Sequence, residues 1–459
     1  MWMMTKTSNS VFRHLLICFI VAGYASCRKS DDRPQYPAGT QENINSWILD
    51  SMRVYYYWNS TLPGRPNVSQ EPTAFFTSIK NGADRFSALV NPDLPATYPP
   101  SLVHTLGFDL ITLQTYTGTV QTVISLVVPG SRADNEGLLR GDIITTFNGE
   151  APTSVNIKML IENAIRSATA ELEIERKPGV FTIGRLTRSE DPVYIYKTFA
   201  AGGKIIGYLF LNSFEPAALE RTATALAYFK TQQVQELIID LRYNPGGSVP
   251  VAAAIATMLA PNAAAANTFV EYRGNANAGS RKSSFATELN LLPGDIRRGF
   301  NDLTAYRNGL NKVFFLTGSH TASAAELLIN CLRPYMTVVQ VGSQTIGKDM
   351  ASFLIKDYRN PQVVPKWEIY PMIFKLYNAA GGGDYGGGLA PDKNVDELTL
   401  LPLVPFGDGN DPLVRYCIGG GSTIASNRKL QSVTDAPAVL YDSRDKIDIS
   451  VIPMNVSRR

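Results

Sequence analysis

Residues 313–330 read VFFLTGSHTASAAELLIN. The apolar run Val313-Phe314-Phe315-Leu316 has the length and composition of a buried strand, and Leu327-Leu328-Ile329-Asn330 continues as a helix. Between them lies Thr321-Ala322-Ser323-Ala324-Ala325-Glu326. A strand that feeds a helix through small residues places a hydroxyl where backbone N–H groups point outward. The helix dipole there favours developing negative charge. Ser323 is therefore a candidate nucleophile. The competing reading is an ordinary helix N-cap, a position that favours serine.

A second apolar run, Thr337-Val338-Val339-Gln340-Val341, precedes Thr345-Ile346-Gly347-Lys348. The usual base for a serine is histidine, but the chain has three histidines and His14 falls in a leader-like segment. Lys348 needs no histidine beside it, provided burial keeps its amine neutral. Upstream, Leu237-Ile238-Ile239-Asp240-Leu241 is a buried strand that runs into Asn244-Pro245-Gly246-Gly247. Glycines let a backbone approach a substrate carbonyl, so an N–H of Gly246 or Gly247 is a candidate oxyanion donor, with the Ala324 N–H as the second. Asp240 and Arg242 read as structural partners.

Three ordered motifs, Asp240-Leu241-Arg242-Tyr243-Asn244-Pro245-Gly246-Gly247, Thr321-Ala322-Ser323-Ala324-Ala325-Glu326 and Gly347-Lys348, resemble the C-terminal processing (tail-specific) peptidases. The resemblance covers roughly residues 40 to 400. It implies Ser-Lys endopeptidase chemistry through an acyl-enzyme, with protein or peptide substrates, and a PDZ domain ahead of the protease core. No metal or organic cofactor is implied, and no metal-ligand spacing is present. The family usually has a glutamine four positions after the lysine, orienting its amine. Here that position is Ser352, a candidate lysine-orienting group with a shorter reach.

Residues 104–177 resemble the PDZ domain itself. Leu106-Gly107-Phe108-Asp109-Leu110 matches the loop and strand that hold a peptide's terminal carboxylate, so Leu106, Gly107 and Phe108 are the candidate carboxylate-binding residues. Pro129-Gly130-Ser131, Gly137-Leu138-Leu139-Arg140-Gly141-Asp142 and Phe147-Asn148-Gly149 continue the pattern. Such a domain captures an extended peptide by strand addition.

The chain has 459 residues and a formal charge of +3, with 44% apolar and 18% charged residues. That length predicts several domains. Removing Lys6 and Arg13 with a leader leaves about +1, which gives no electrostatic case for nucleic acid. Leu15 to Gly23 is apolar but too short to span a bilayer, as in a signal peptide over residues 1–26. Ala25-Ser26-Cys27 resembles a bacterial lipobox, making Cys27 a candidate lipid attachment site with residues 27–40 as a tether. Export to a bacterial cell envelope, on the periplasmic or surface face, follows. Cys331 reads as a small core residue.

The predicted fold is a multidomain α/β chain. Residues 41–100 form a helical N-terminal region and proline-rich linker, 104–177 a PDZ-like β-rich domain, and 178–402 a layered α/β protease core. Residues 403–459 form a C-terminal extension matching no motif, and 272 to 306 reads as an insertion over the active-site side. Gly342 to Asp349 matches a P-loop except that Asp349 replaces the required hydroxyl, which rejects it. Ser426-Asn427-Arg428-Lys429 is a chance match to penicillin-binding enzymes. The alternative from another class is a catalytically silent, PDZ-containing peptide-binding lipoprotein. Oligomeric state stays open.

Overall fold

The computed structural model describes residues 34–98, 100–360, 364–419 and 437–447. The expected signal peptide, residues 27–33 of the expected tether and the candidate lipid site Cys27 lie outside them. Helix α1 (Gln41–Tyr55) starts at Thr40, whose side chain accepts the Asn43 N–H. Its buried stripe of Trp47, Ile48, Leu49 and Met52 meets Phe75, Phe76 and Ile79 of α2 (Pro72–Ile79). The same cluster takes in Ile355 and Ile369, so this region closes only against the core. Strand β1 (Ala88–Val90) seals the junction by pairing with residues 368–370.

A middle unit follows, built from α3 (Leu102–Leu106), β2 (Phe108–Gln114), β3 (Val120–Val127), α4 (Arg132–Asn135), β4 (Ile143–Phe147), α5 (Ile157–Ser167), β5 (Thr169–Ile174) and β6 (Lys177–Gly184). Its strands are antiparallel neighbours in chain order. They enclose a core of Leu106, Phe108, Leu110, Ile124, Phe147 and Leu160. The unit runs from 102 to 184, wider at both ends than residues 104–177. Val103, Leu126 and Val128 on its outer side share a second apolar cluster with the domain that follows.

That domain contains β7 (Val193–Ala201), β8 (Lys204–Leu211), α6 (Ala217–Thr231), β9 (Glu236–Asp240), α7 (Val249–Leu259), β10 (Thr268–Arg273), β11 (Ser280–Ser284), α8 (Phe285–Leu289) and α9 (Phe300–Thr304). Next come β12 (Lys312–Thr317), α10 (Ala324–Leu332), β13 (Thr337–Gly342), β14 (Met350–Ala351), β15 (Ile355–Lys356), β16 (Glu368–Tyr370), β17 (Phe374–Tyr377) and β18 (Lys393–Asn394). Helix α11 (Pro412–Ile418) and strand β19 (Ala438–Asp442) complete the elements used below. The central sheet has the order β18-β13-β12-β9-β8-β7, parallel except for β7. Helices α6, α7 and α10 bury one face. Leu413, Val414 and Cys417 of α11 cover the other, against Tyr208, Phe314 and Val341.

Register places the site. Leu316 of β12 lies beside Asp240 of β9, and Thr317 beside Gly342 of β13. The Gly246-Gly247 turn, the Ser323 turn and the Lys348 loop therefore leave the carboxyl ends of three adjacent parallel strands, where open α/β sheets place their ligands.

One expectation is corrected. Residues 272–306 are not a separate insertion: β10 and β11 belong to a second sheet, β11-β10-β17-β14, whose last strand begins just after Lys348. The described residues of 403–459 also pack against the rest of the chain. Helix α11 caps the core, and β19 joins the middle unit's sheet beside β2.

Candidate active site

Ser323 occupies the N-cap position of α10 with φ +59° and ψ −119°, a conformation that L-residues rarely adopt. Such strain costs about 1–3 kcal/mol and persists only where the surroundings impose it. The hydroxyl does not cap the helix. Ser323 Oγ is fully buried and has no hydrogen-bond partner among the described residues. The cap is made in reverse, with the Ser323 N–H donating to Glu326 Oε2 at 2.8 Å. The simple N-cap reading of Ser323 therefore fails, and the hydroxyl stays available.

Glu326 is the residue that sequence reasoning missed. Its Oε2 also accepts the Lys348 N–H at 2.8 Å. Its Oε1 accepts the Gly347 N–H at 2.7 Å and the Thr345 hydroxyl at 2.5 Å. Burial pushes this carboxyl up to about 7, while the four donors hold it back. One buried carboxylate thus joins the Ser323 turn to the Lys348 loop. Ser323-x-x-Glu326 is the sequence pattern of a capping box, the signal that was there to be read.

Lys348 is fully buried, as a lysine base requires. Ser352 is buried too, but its Oγ has no hydrogen-bond partner among the described residues. The expected orienting bond from Ser352 to Lys348 is therefore not made. After Lys348 the chain forms two short strands, β14 and β15, which belong to different sheets.

The glycine turn lies against Ser323. A Cβ on Gly246 would stand 2.5 Å from Ser323 Cβ and 2.9 Å from Ala324 N. The Gly246 N–H is already used, donating to Asn244 Oδ1 at 2.8 Å. Of the two glycines expected to donate to an oxyanion, Gly247 is left: its N–H and that of Ala324 have no acceptor among the described residues. The Ala322 N–H donates to Asn244 O at 3.0 Å, and Thr321 Oγ1 to Leu241 O at 2.7 Å, locking the two turns together.

Behind the turns lies a buried ionic cluster. Arg242 bonds Asp240 at 2.6 Å, Asp411 at 2.8 Å and Glu397 at 2.9 Å. Arg140 of the middle unit reaches the same Glu397 at 2.7 Å. Burial opposes ionisation of Glu397, but the two guanidinium groups outweigh it and hold its carboxyl down at about 2. This cluster ties the middle unit, the core and the C-terminal region at one point.

The candidate carboxylate-binding turn is arranged differently from the expectation. Leu106 ends α3, the Gly107 N–H donates to Val103 O at 2.8 Å as the helix C-cap, and Phe108 begins β2. Asp109, fully buried beside them, pairs with Arg444. A free carboxylate would meet a negative charge here and find the Gly107 donor occupied. Among the described residues one donor group, His320, Asp442 and Asp445, lies close enough to share a metal ion, and His320 Nε2 is 2.9 Å from Asp442 Oδ2.

The chain matches the family model for peptidase family S41 over residues 205–395 and that for the peptidase S41 N-terminal domain over 43–88. The first match contains Gly246, Gly247, Ser323, Glu326, Lys348 and Ser352; the middle unit lies outside both. The chain is 25% identical over 322 residues to the carboxyl-terminal-processing protease of Synechocystis sp., covering 67% of each. It is 25% identical over 286 residues to the carboxy-terminal processing protease CtpB of Bacillus subtilis, spanning 60% of this chain but only 53% of that one. A crystal structure from Bacteroides fragilis, described as a candidate S41 protease, superposes with a TM-score of 0.66 at 27% identity, covering 86% of this chain and all of the other. The strand-turn-helix at Ser323, the matched segments and this likeness converge: the chain belongs to peptidase family S41, the serine-type peptidases that include the C-terminal processing proteases.

Proposed function

We propose that this chain is an endopeptidase in which Ser323 attacks a peptide carbonyl and Lys348 accepts the hydroxyl proton. An acyl-enzyme forms, the amine leaves, and water releases the second product. The N–H groups of Ala324 and Gly247 face the developing oxyanion, at the N-terminus of α10 where the dipole assists them. The observation that carries this reading is the uncapped, strained Ser323 hydroxyl, held to the Lys348 loop through Glu326. Substrates are proteins or peptides, and no cofactor enters the chemistry.

Export and acylation at Cys27 belong to the same proposal. They rest on the apolar run Leu15 to Gly23 and on Ala25-Ser26-Cys27. Among the described residues no helix is long and apolar enough to cross a membrane. Fatty-acid labelling that is equal in wild type and Cys27→Ala would remove the anchor.

The second reading, a silent peptide-binding protein, draws on Ser352, which stands at the glutamine position and whose Oγ has no hydrogen-bond partner among the described residues. A fluorophosphonate probe with casein hydrolysis separates the two. Labelling and turnover that vanish in Ser323→Ala support the peptidase, and neither in the folded wild type supports the silent protein.

A further inference from the structure

The outer edge of β2 is occupied by the chain's own tail. Strand β19 runs antiparallel to β2, with Ala438 opposite Gln114 and Asp442 opposite Ile111, so it heads toward the Leu106-Gly107-Phe108 turn. Tyr441 packs against the apolar core that α5 shares, which places the segment where an added peptide strand would lie. Val439 and Leu440 are 50% and 40% exposed, so the ladder itself is shallow.

The tail is anchored beyond the ladder. Ser443 Oγ accepts the Leu110 N–H at 3.0 Å and donates to Asp109 Oδ1 at 2.8 Å. Arg444 pairs with Asp109 at 2.5 Å, both groups almost wholly buried. Charge chooses this occupant: a guanidinium neutralises Asp109, whereas a terminal carboxylate would add a second buried negative charge. The anchor also reaches the active site from two sides. Arg444 Nη2 donates to Tyr243 O at 2.7 Å, just ahead of Gly246 and Gly247. Asp442 holds His320, three residues ahead of Ser323.

We propose that residues 438–445 are a strap acting in cis, the resident ligand of the β2 edge. An incoming extended peptide has to displace it, and its departure frees the two turns that enclose the buried Ser323. This second half rests on Ser323 as the nucleophile.

The test keeps the full chain. Gln114 and Ala438 are facing register partners and both exposed, so the pair Gln114→Cys/Ala438→Cys locks the strap when oxidised and releases it when reduced. The probe is a fluorescein-labelled peptide of residues 437–447. The reduced protein should bind it, the oxidised protein about tenfold more weakly or worse, and Arg444→Ala in the chain about tenfold more tightly than wild type. Amidating the peptide's C-terminus should change nothing. Equal binding in both redox states, or none by the reduced and Arg444→Ala proteins, would overturn the strap. Fluorophosphonate labelling of Ser323 should slow on oxidation and recover on reduction. Equal rates would overturn gating, and no labelling in either state would remove Ser323 as nucleophile while leaving the binding result to judge the strap.

Discussion

Ser323 and Lys348 donate their backbone N–H groups to one and the same oxygen, Oε2 of Glu326, each at 2.8 Å. The two candidate catalytic segments are thereby set by a third side chain whose carboxylate has to be ionised to accept four donors. Glu326→Gln keeps the size but points an amide N–H₂ at donors. It should lower kcat by about 100-fold, the scale of a small misplacement of reacting groups. Activity should also fall as pH drops through about 7, where this carboxyl takes up a proton. The stability effect has the opposite sense. A raised folded value against the ordinary 4.5 means a contribution fully present below 4.5 and lost as pH rises through about 7. Glu326→Gln should lack both dependences, as pH-rate profiles and urea midpoints across pH 4 to 8 (roughly one unit beyond the window on each side) would read.

Lys348→Arg should be essentially inactive, down by about 1000-fold or more, although it keeps the positive charge. A guanidinium does not give up its proton in a protein, so it cannot act as the base. Ser323→Ala on top of it should add no further loss. Casein turnover, with folding confirmed by circular dichroism, is the measurement; substantial activity in the arginine variant would send the proton elsewhere.

Gly246→Ala should cost about 1–3 kcal/mol and most of the activity. Its new methyl would stand 2.5 Å from Ser323 Cβ, at a backbone φ of +107°. Gly387→Ala, with nothing within 4 Å, is the matched control and should behave like wild type.

Glu397→Gln should destabilise the fold by about 3 kcal/mol at neutral pH, because it leaves Arg140 and Arg242 short of a buried partner. The wild-type carboxyl, held at about 2, contributes stability that is present above 4.5 and lost as pH falls toward 2. The variant's urea midpoint should therefore move less than wild type's between pH 7 and pH 3 (roughly the middle of that window).

The local parts of the site were legible because they are encoded by neighbours in sequence. The apolar run to Leu316, the small residues around Ser323 and the glycines at 246 and 247 each declare a strand end or a turn by themselves. Glu326 was legible in principle through its capping-box spacing, but its bonds to Gly347 and Lys348 belong to tertiary structure alone. Ser352 misled for the opposite reason: position in a motif says nothing about whether a short hydroxyl reaches its target. Gly246 and Gly247 were indistinguishable until the Asn244 side chain was seen to take one N–H. Strand β19 had no signature either, being five residues whose partner lies more than 300 positions away, and 272–306 concealed β11, whose five residues are all polar and three of them exposed.

The pairing of β19 with β2 also sets an order of events for a newly made chain. Leu110 and Ser443 are separated by 333 positions, so the middle sheet keeps a bare edge until residues 438–443 have emerged. Loop closure over such a span is slow, and an open strand edge invites wrong partners meanwhile. The Ser323 turn and the Lys348 loop both precede that strand in the chain. The contact that covers this edge thus forms late, and the interval before it closes is when a nascent chain is most exposed to aggregation.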